Sequence, residues 1–152
     1  MNAPYKPEIF HTPFDHTKYV LVRNQQQLDQ ILRLLEVDDS FEFLDMGYPA
    51  QVTTYQKDGR NLCIVQIGHD QVEKLKVASL LAHESVHVWQ KTRIAMGETA
   101  PSSEFEAYSI QRIFQDLLYA LNESEDTTES KIQENQTIRS KIKQTFSQLF
   151  KK

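Results

Sequence analysis

Two histidines four residues apart, His83 and His87, with Glu84 directly after the first, spell H-E-x-x-H. On an α-helix, positions i and i+4 share a face, so both imidazoles can aim at a single metal ion. The carboxylate of Glu84 then stands beside that ion, where it can take the proton of a metal-bound water. Zn²⁺ suits this ligand type and spacing, and a catalytic zinc needs a third protein ligand. The structural alternative is a helix with two partnered histidines and a surface glutamate. Chance placement gives the pattern in roughly 1% of chains of this size and composition, so the motif needs support from its surroundings.

The surroundings supply it. From Gln71 to Met96 there is no Pro or Gly, and Gly97 offers a stop, so the motif falls inside a long helix. Val77 to Trp89 is apolar nearly all round, which predicts a buried central helix. Histidines and a carboxylate inside such a helix are costly unless partnered, and a metal is one partner. Downstream, Pro101, Ser102 and Ser103 lead into Glu104–Leu121, a second periodic segment with either serine as N-cap. Glu104, Ala107, Tyr108 and Gln111 fall on one face of it. The small Ala107 would let that face pack closely on the motif helix and deliver Glu104 to the metal.

These residues resemble the gluzincin metallopeptidases, whose H-E-x-x-H helix is followed by a helix bearing E-x-x-A or a close variant. The wider string, Ala82-His-Glu-Ser-Val-His-Val-Trp-Gln90, then Gly97-Glu98, then Glu104-Phe-Glu-Ala-Tyr108, looks like that of small metallopeptidase-like proteins encoded by phages and prophages. The resemblance covers residues 71–121, about a third of the chain. It implies His83 and His87 as zinc ligands, Glu84 as general base and Glu104 as third ligand. Glu106 competes for the last role but sits on another face, whereas Glu104 precedes Ala107 by three residues as in the family pattern.

Tyr108 departs from that pattern, standing where many gluzincins carry an Asp hydrogen-bonded to a ligand histidine. Its hydroxyl could orient an imidazole or donate to an oxyanion, with Tyr119 and His69 as further donors; a packed aromatic is the structural alternative. The implied reaction is hydrolysis of a peptide bond. A water in the open fourth zinc position, its pKa near about 7, attacks the carbonyl while Glu84 takes its proton and passes it to the leaving amine. Peptide deformylases also use H-E-x-x-H, with an upstream Cys as third ligand. The single Cys63, however, lies in the apolar run Asn61–Ile67 and reads as a small core residue.

An N-terminal platform must position the motif helix. Lys18–Arg23 reads as a strand, Asn24 caps a helix over about residues 25–36, and Leu28, Ile31, Leu32 and Leu35 form its apolar stripe. Gln51–Gln56 and Asn61–Ile67 flank Asp58-Gly59 as a hairpin, and Phe41–Leu44 adds a short strand. The expected class is therefore α+β, zincin-like, with a small sheet before the motif helix. An edge strand of that sheet would pair with an extended peptide substrate. His69 reads as a turn residue before the motif helix, and His11 and His16 as surface histidines.

Residues 1–121 are expected to form this domain and 122–130 an acidic, polar linker. Residues 131–152 are expected to form a basic amphipathic helix with Ile138, Ile142, Phe146, Leu149 and Phe150 on one stripe. That helix packs on the domain or docks a protein partner. A net charge of −4 gives no nucleic-acid footprint. No apolar run nears the about 20 residues that span a bilayer. The N-terminus has no apolar leader and one Cys allows no internal disulfide, so a cytoplasmic location is expected. A zinc metallopeptidase is the leading function. The other reading is a non-catalytic binding or regulatory module, against which the intact Glu84 weighs, since a purely structural zinc needs no base.

Overall fold

The computed structural model describes residues 5–37, 41–44, 47–57, 59–71 and 73–125. The chain is α+β, with four strands, three α-helices and one 3-10 turn at Pro13–Asp15 among these residues. In order the strands and α-helices are β1 (Ile9–His11), β2 (Thr17–Val22), α1 (Gln25–Leu34), β3 (Ala50–Lys57), β4 (Arg60–Ile67), α2 (Lys74–Met96) and α3 (residues 103–125). The chain divides into two compact units, Lys6–Leu121 and a second made of Met1–Tyr5 with Asn122–Lys152. Everything below concerns the first. The expected acidic linker begins in helix, since α3 runs through residue 125; its remainder, 126–130, and the expected helix over 131–152 lie outside the described residues.

The sheet has the order β1-β2-β4-β3. β2 and β4 run parallel at its centre, with Tyr19 opposite Cys63 and Val20 opposite Ile64. β1 on β2 and β3 on β4 are antiparallel, so β1 and β3 are the two edges. Strands flanked on both sides need apolar side chains on both faces. The uninterrupted runs Tyr19–Val22 and Leu62–Val65 supply them, and every one of these residues is buried.

Alternation sorts those side chains into two cores. Tyr19, Leu21, Cys63, Val65 and Ile67 face Val77, Leu81, Val88 and Trp89 of α2 and Ile113 and Leu117 of α3. Val20, Val22, Leu62 and Ile64 face Leu28, Ile31 and Leu32 of α1. The result is three layers, α1, sheet, and α2 with α3. Asn24 caps α1 as expected, its side chain accepting from the Gln27 amide at 2.9 Å. The buried Arg23 ties the ends of the parallel strands together, donating through Nε to the Ile67 carbonyl at 2.8 Å and through Nη2 to the Gly68 carbonyl at 3.1 Å.

The segment Phe41–Leu44 is not the expected strand. Glutamine side chains hold its backbone in place of a neighbouring strand. The Phe43 amide donates to Gln25 Oε1 at 2.7 Å, the Phe41 carbonyl accepts from Gln25 Nε2 at 2.8 Å, and the Leu44 amide donates to Gln66 Oε1 at 3.0 Å. A primary amide offers the same donor and acceptor as a peptide group, so it can stand in for a ladder partner.

Candidate metal centre

α2 runs from Lys74 to Met96, and Gly97, at a left-handed φ of 68°, closes it, with the Gly97 amide bonded to the Ile94 carbonyl and the Glu98 amide to that of Arg93. The helix is not apolar all round in its setting. Val77, Leu81, Glu84, Ser85, Val88, Trp89 and Thr92 are buried, while Leu75, Ala82, His83, Val86, Gln90 and Ile94 are exposed. The reason is that α2 lies against one face of a four-stranded sheet and one helix, which cover only part of its circumference.

That orientation places the motif at the border between core and solvent. His83 and His87 point outward with their Nε2 atoms 3.0 Å apart and their rings in an edge-to-face arrangement, centroids 4.7 Å apart. Two imidazole nitrogens on one tetrahedral zinc, each at about 2.0–2.1 Å, stand about 3.3 Å from each other, so the pair fits a shared ion. Glu84 turns inward and is only 4% exposed. Burial pushes its carboxyl above the ordinary range, opposed by the two neighbouring imidazoles. A buried carboxylate beside two outward-facing imidazoles is the arrangement in which one group can hold a proton next to an ion the others bind. His87 Nδ1 also meets Oε1 of Gln90 at 3.1 Å, a contact absent from the sequence reading although Gln90 lies within a turn of His87.

The second helix starts where expected, with the Phe105 amide donating to Ser102 Oγ at 3.3 Å, but its rotation differs from the expectation. Glu104, Ala107, Tyr108 and Gln111, the face predicted to pack on α2, are exposed, Tyr108 to 64%. Ile113 and Leu117 are buried in their place, with Phe105, Ile110, Phe114 and Leu118 packed against the same core. Burying each such side chain contributes about 1.5–3 kcal/mol, far more than a close approach at one alanine, so the broad apolar stripe sets the rotation.

Glu106 Oε1 accepts from Trp89 Nε1 at 2.7 Å, and Phe105 stacks edge-on to the same indole. At about 100° per residue, Trp89 lies about 200° around α2 from His87, so this contact is on the side of the helix away from the imidazoles. The structure thus brings His83, His87 and Glu84 together and does not bring Glu104 or Glu106 to them. Among the described residues no group of three or more His, Cys, Asp or Glu side chains is placed to hold a metal.

The other expected participants lie elsewhere. Tyr119 is 54% exposed on α3. His69 follows β4, where burial and the Arg23 charge hold its imidazole below the ordinary range. His11 bonds Asp15 at 2.8 Å on the surface, and His16 is exposed. Cys63 is fully buried in β4 with its sulfur 3.8 Å from Thr54 Oγ1, and burial pushes the thiol up to about 11. A cavity of about 670 Å³ opens on the opposite face of the sheet, between α1 and the strands, lined by Leu34, Leu35, Val37, Tyr55 and Leu62. It is separate from the imidazole pair. Among the described residues no helix is long and apolar enough to cross a membrane. Comparison with protein-family models, curated proteins and solved structures finds no match to this chain.

Proposed function

We propose that this chain is a zinc-dependent hydrolase of peptide bonds built on a zincin-like arrangement. The observation that carries the reading is the pairing of His83 Nε2 with His87 Nε2 at 3.0 Å beside the buried carboxylate of Glu84. A zinc ion held by this pair would supply a water acidic enough to ionise near about pH 7. Glu84 accepts that proton, and its low exposure keeps bulk water from competing for it. Its raised proton affinity suits the second half of the task, returning the proton to a leaving amine.

A peptide substrate has a matching surface. β3 is a sheet edge eight residues long, able to add an extended strand through main-chain hydrogen bonds. α2, the helix that carries the imidazole pair, packs against β3 as well as against β4 and β2.

The test is metal content together with turnover. The purified chain should carry or take up about one zinc, His83→Ala should lose it, and Glu84→Gln should keep it while losing cleavage of a peptide library. A chain that takes up no zinc defeats the proposal. A second reading, a metal-holding binding module without turnover, draws on the finding that no described carboxylate completes the ligand set. Zinc uptake without cleavage of any peptide by the wild type would favour it.

A further inference from the structure

From the contact between Gln90 Oε1 and His87 Nδ1 we infer that Gln90 is a positioning residue that fixes His87 in the tautomer able to bind a metal through Nε2. The inference rests on the metal-site reading above and adds to it the group that orients one ligand. A neutral imidazole carries its proton on one nitrogen and a lone pair on the other. Oε1 of a glutamine is an acceptor only, so across 3.1 Å it takes a hydrogen bond from Nδ1–H. The proton is then on Nδ1, and Nε2 is left with its lone pair directed outward.

The second contact at the pair is compatible with this assignment and extends it to the other ring. With His87 Nε2 as acceptor, the 3.0 Å bond between the rings requires His83 to donate from its own Nε2. The metal-free pair is therefore asymmetric. His87 is already in the ligating tautomer, whereas His83 must move its proton to Nδ1 before its Nε2 can bind an ion. Among the described residues no hydrogen-bond partner of His83 Nδ1 is found, so none of them holds that ring in the ligating form beforehand.

Gln90 can do this because of where α2 places it. It is three residues after His87 on the same face of the helix, with no need for a contribution from another element. Orienting groups behind metal-bound histidines typically change affinity by about 10–100-fold when removed. The exposed Tyr108 makes no such contact, so the role falls to the motif helix itself.

The experiment uses the full chain, stripped of metal and labelled with ¹⁵N at histidine. Long-range proton–nitrogen correlation spectra at mildly alkaline pH report the tautomer of each ring, and chelator competition reports zinc affinity. In the wild type, His87 should show Nδ1–H and His83 Nε2–H before metal is added. One equivalent of zinc should switch His83 alone. Gln90→Leu, which removes the acceptor at similar size, should give His87 a mixture of tautomers and weaken zinc by at least about tenfold. Gln90→Glu, which keeps an acceptor, should restore both. A wild-type His87 found as Nε2–H, or equal zinc affinity in wild type and Gln90→Leu, overturns the positioning role alone. No zinc uptake by the wild type overturns the metal-site reading on which the role depends.

Discussion

The indole Nε1 of Trp89 donates to Glu106 Oε1 across 2.7 Å, on the flank of α2 turned away from His87. This bond fixes which job Glu106 has. Trp89 is 2% exposed, and an indole N–H without an acceptor in that setting costs about 1–3 kcal/mol. Glu106→Leu should therefore lower the urea midpoint by a corresponding amount and leave zinc affinity unchanged, while Glu106→Gln, which retains an oxygen acceptor, should lose less stability. Glu104→Ala, at an exposed site, should change neither. Sharp loss of zinc in either alanine or leucine variant would show that α3 turns its other face to α2 when metal binds.

Glu84 carries a testable conflict between stability and chemistry. Its carboxyl is held above its ordinary value of 4.5, chiefly by burial, so the folded metal-free chain binds that proton more tightly than the unfolded chain does. By linkage, the Glu84 contribution to stability falls as pH rises from 4.5 through the raised value and stays unfavourable at neutral pH. Glu84→Gln should thus make the metal-free protein more stable at neutral pH, with the gain shrinking as the solution is acidified below the carboxylate range. Hydrolysis should fall by about 100-fold or more in the same variant, the ordinary loss on removing a general base. Denaturant melts across pH, paired with peptide-cleavage rates, measure both sides. A variant less stable than wild type at neutral pH would show that the buried carboxylate is favourably partnered.

Cys63 should be chemically silent. Its thiol is pushed up to about 11, first by burial, with the Thr54 hydroxyl and the Lys91 charge acting in the other direction. The reactive species is the thiolate, which is scarce at neutral pH for such a group and has no path to solvent at zero exposure. Iodoacetamide at mildly alkaline pH should label the chain only after denaturation. Rapid labelling of the native protein would place Cys63 near an open channel and revive it as a candidate ligand beside the imidazoles.

Much of this fold was legible from local signals. The Asn24 cap, the β3–β4 hairpin and the Gly97 stop each rest on a residue whose chemistry acts within a few positions, and all three stand where the pattern put them. The convergence of His83 and His87 was legible for the same reason, since four residues on a helix fix it. What failed depended on distant partners. The short apolar segment at Phe41–Leu44 looked like a strand, but the amides of Gln25 and Gln66 satisfy its backbone instead. The rotation of α3 follows the wide stripe through Ile113 and Leu117 and not the family-like spacing at Glu104 and Ala107. Which stripe wins is a question of buried area, and spacing alone does not answer it.

Two left-handed residues at helix ends give a matched pair of predictions about backbone cost. α1 ends in a motif in which the Val37 amide bonds the Leu32 carbonyl and the Glu36 amide bonds the Arg33 carbonyl, both at 3.1 Å, with Glu36 at φ 56°. α2 ends the same way, with Gly97 at φ 68° and bonds from Gly97 to Ile94 and from Glu98 to Arg93, both at 3.0 Å. A residue with a Cβ pays about 1 kcal/mol in this region that glycine does not. The sequence uses glycine at one end and glutamate at the other. Glu36→Gly should then stabilise the chain by up to about 1 kcal/mol, raising the melting temperature by about 2–4 °C. Gly97→Ala should cost a similar amount, and since a Cβ there would meet nothing within 4 Å, the loss would be purely conformational. Thermal melts of the two variants and their double mutant decide the matter, because sites this independent should sum to little net change. A destabilised Glu36→Gly would mean that the glutamate side chain contributes more through its contacts than its backbone conformation costs.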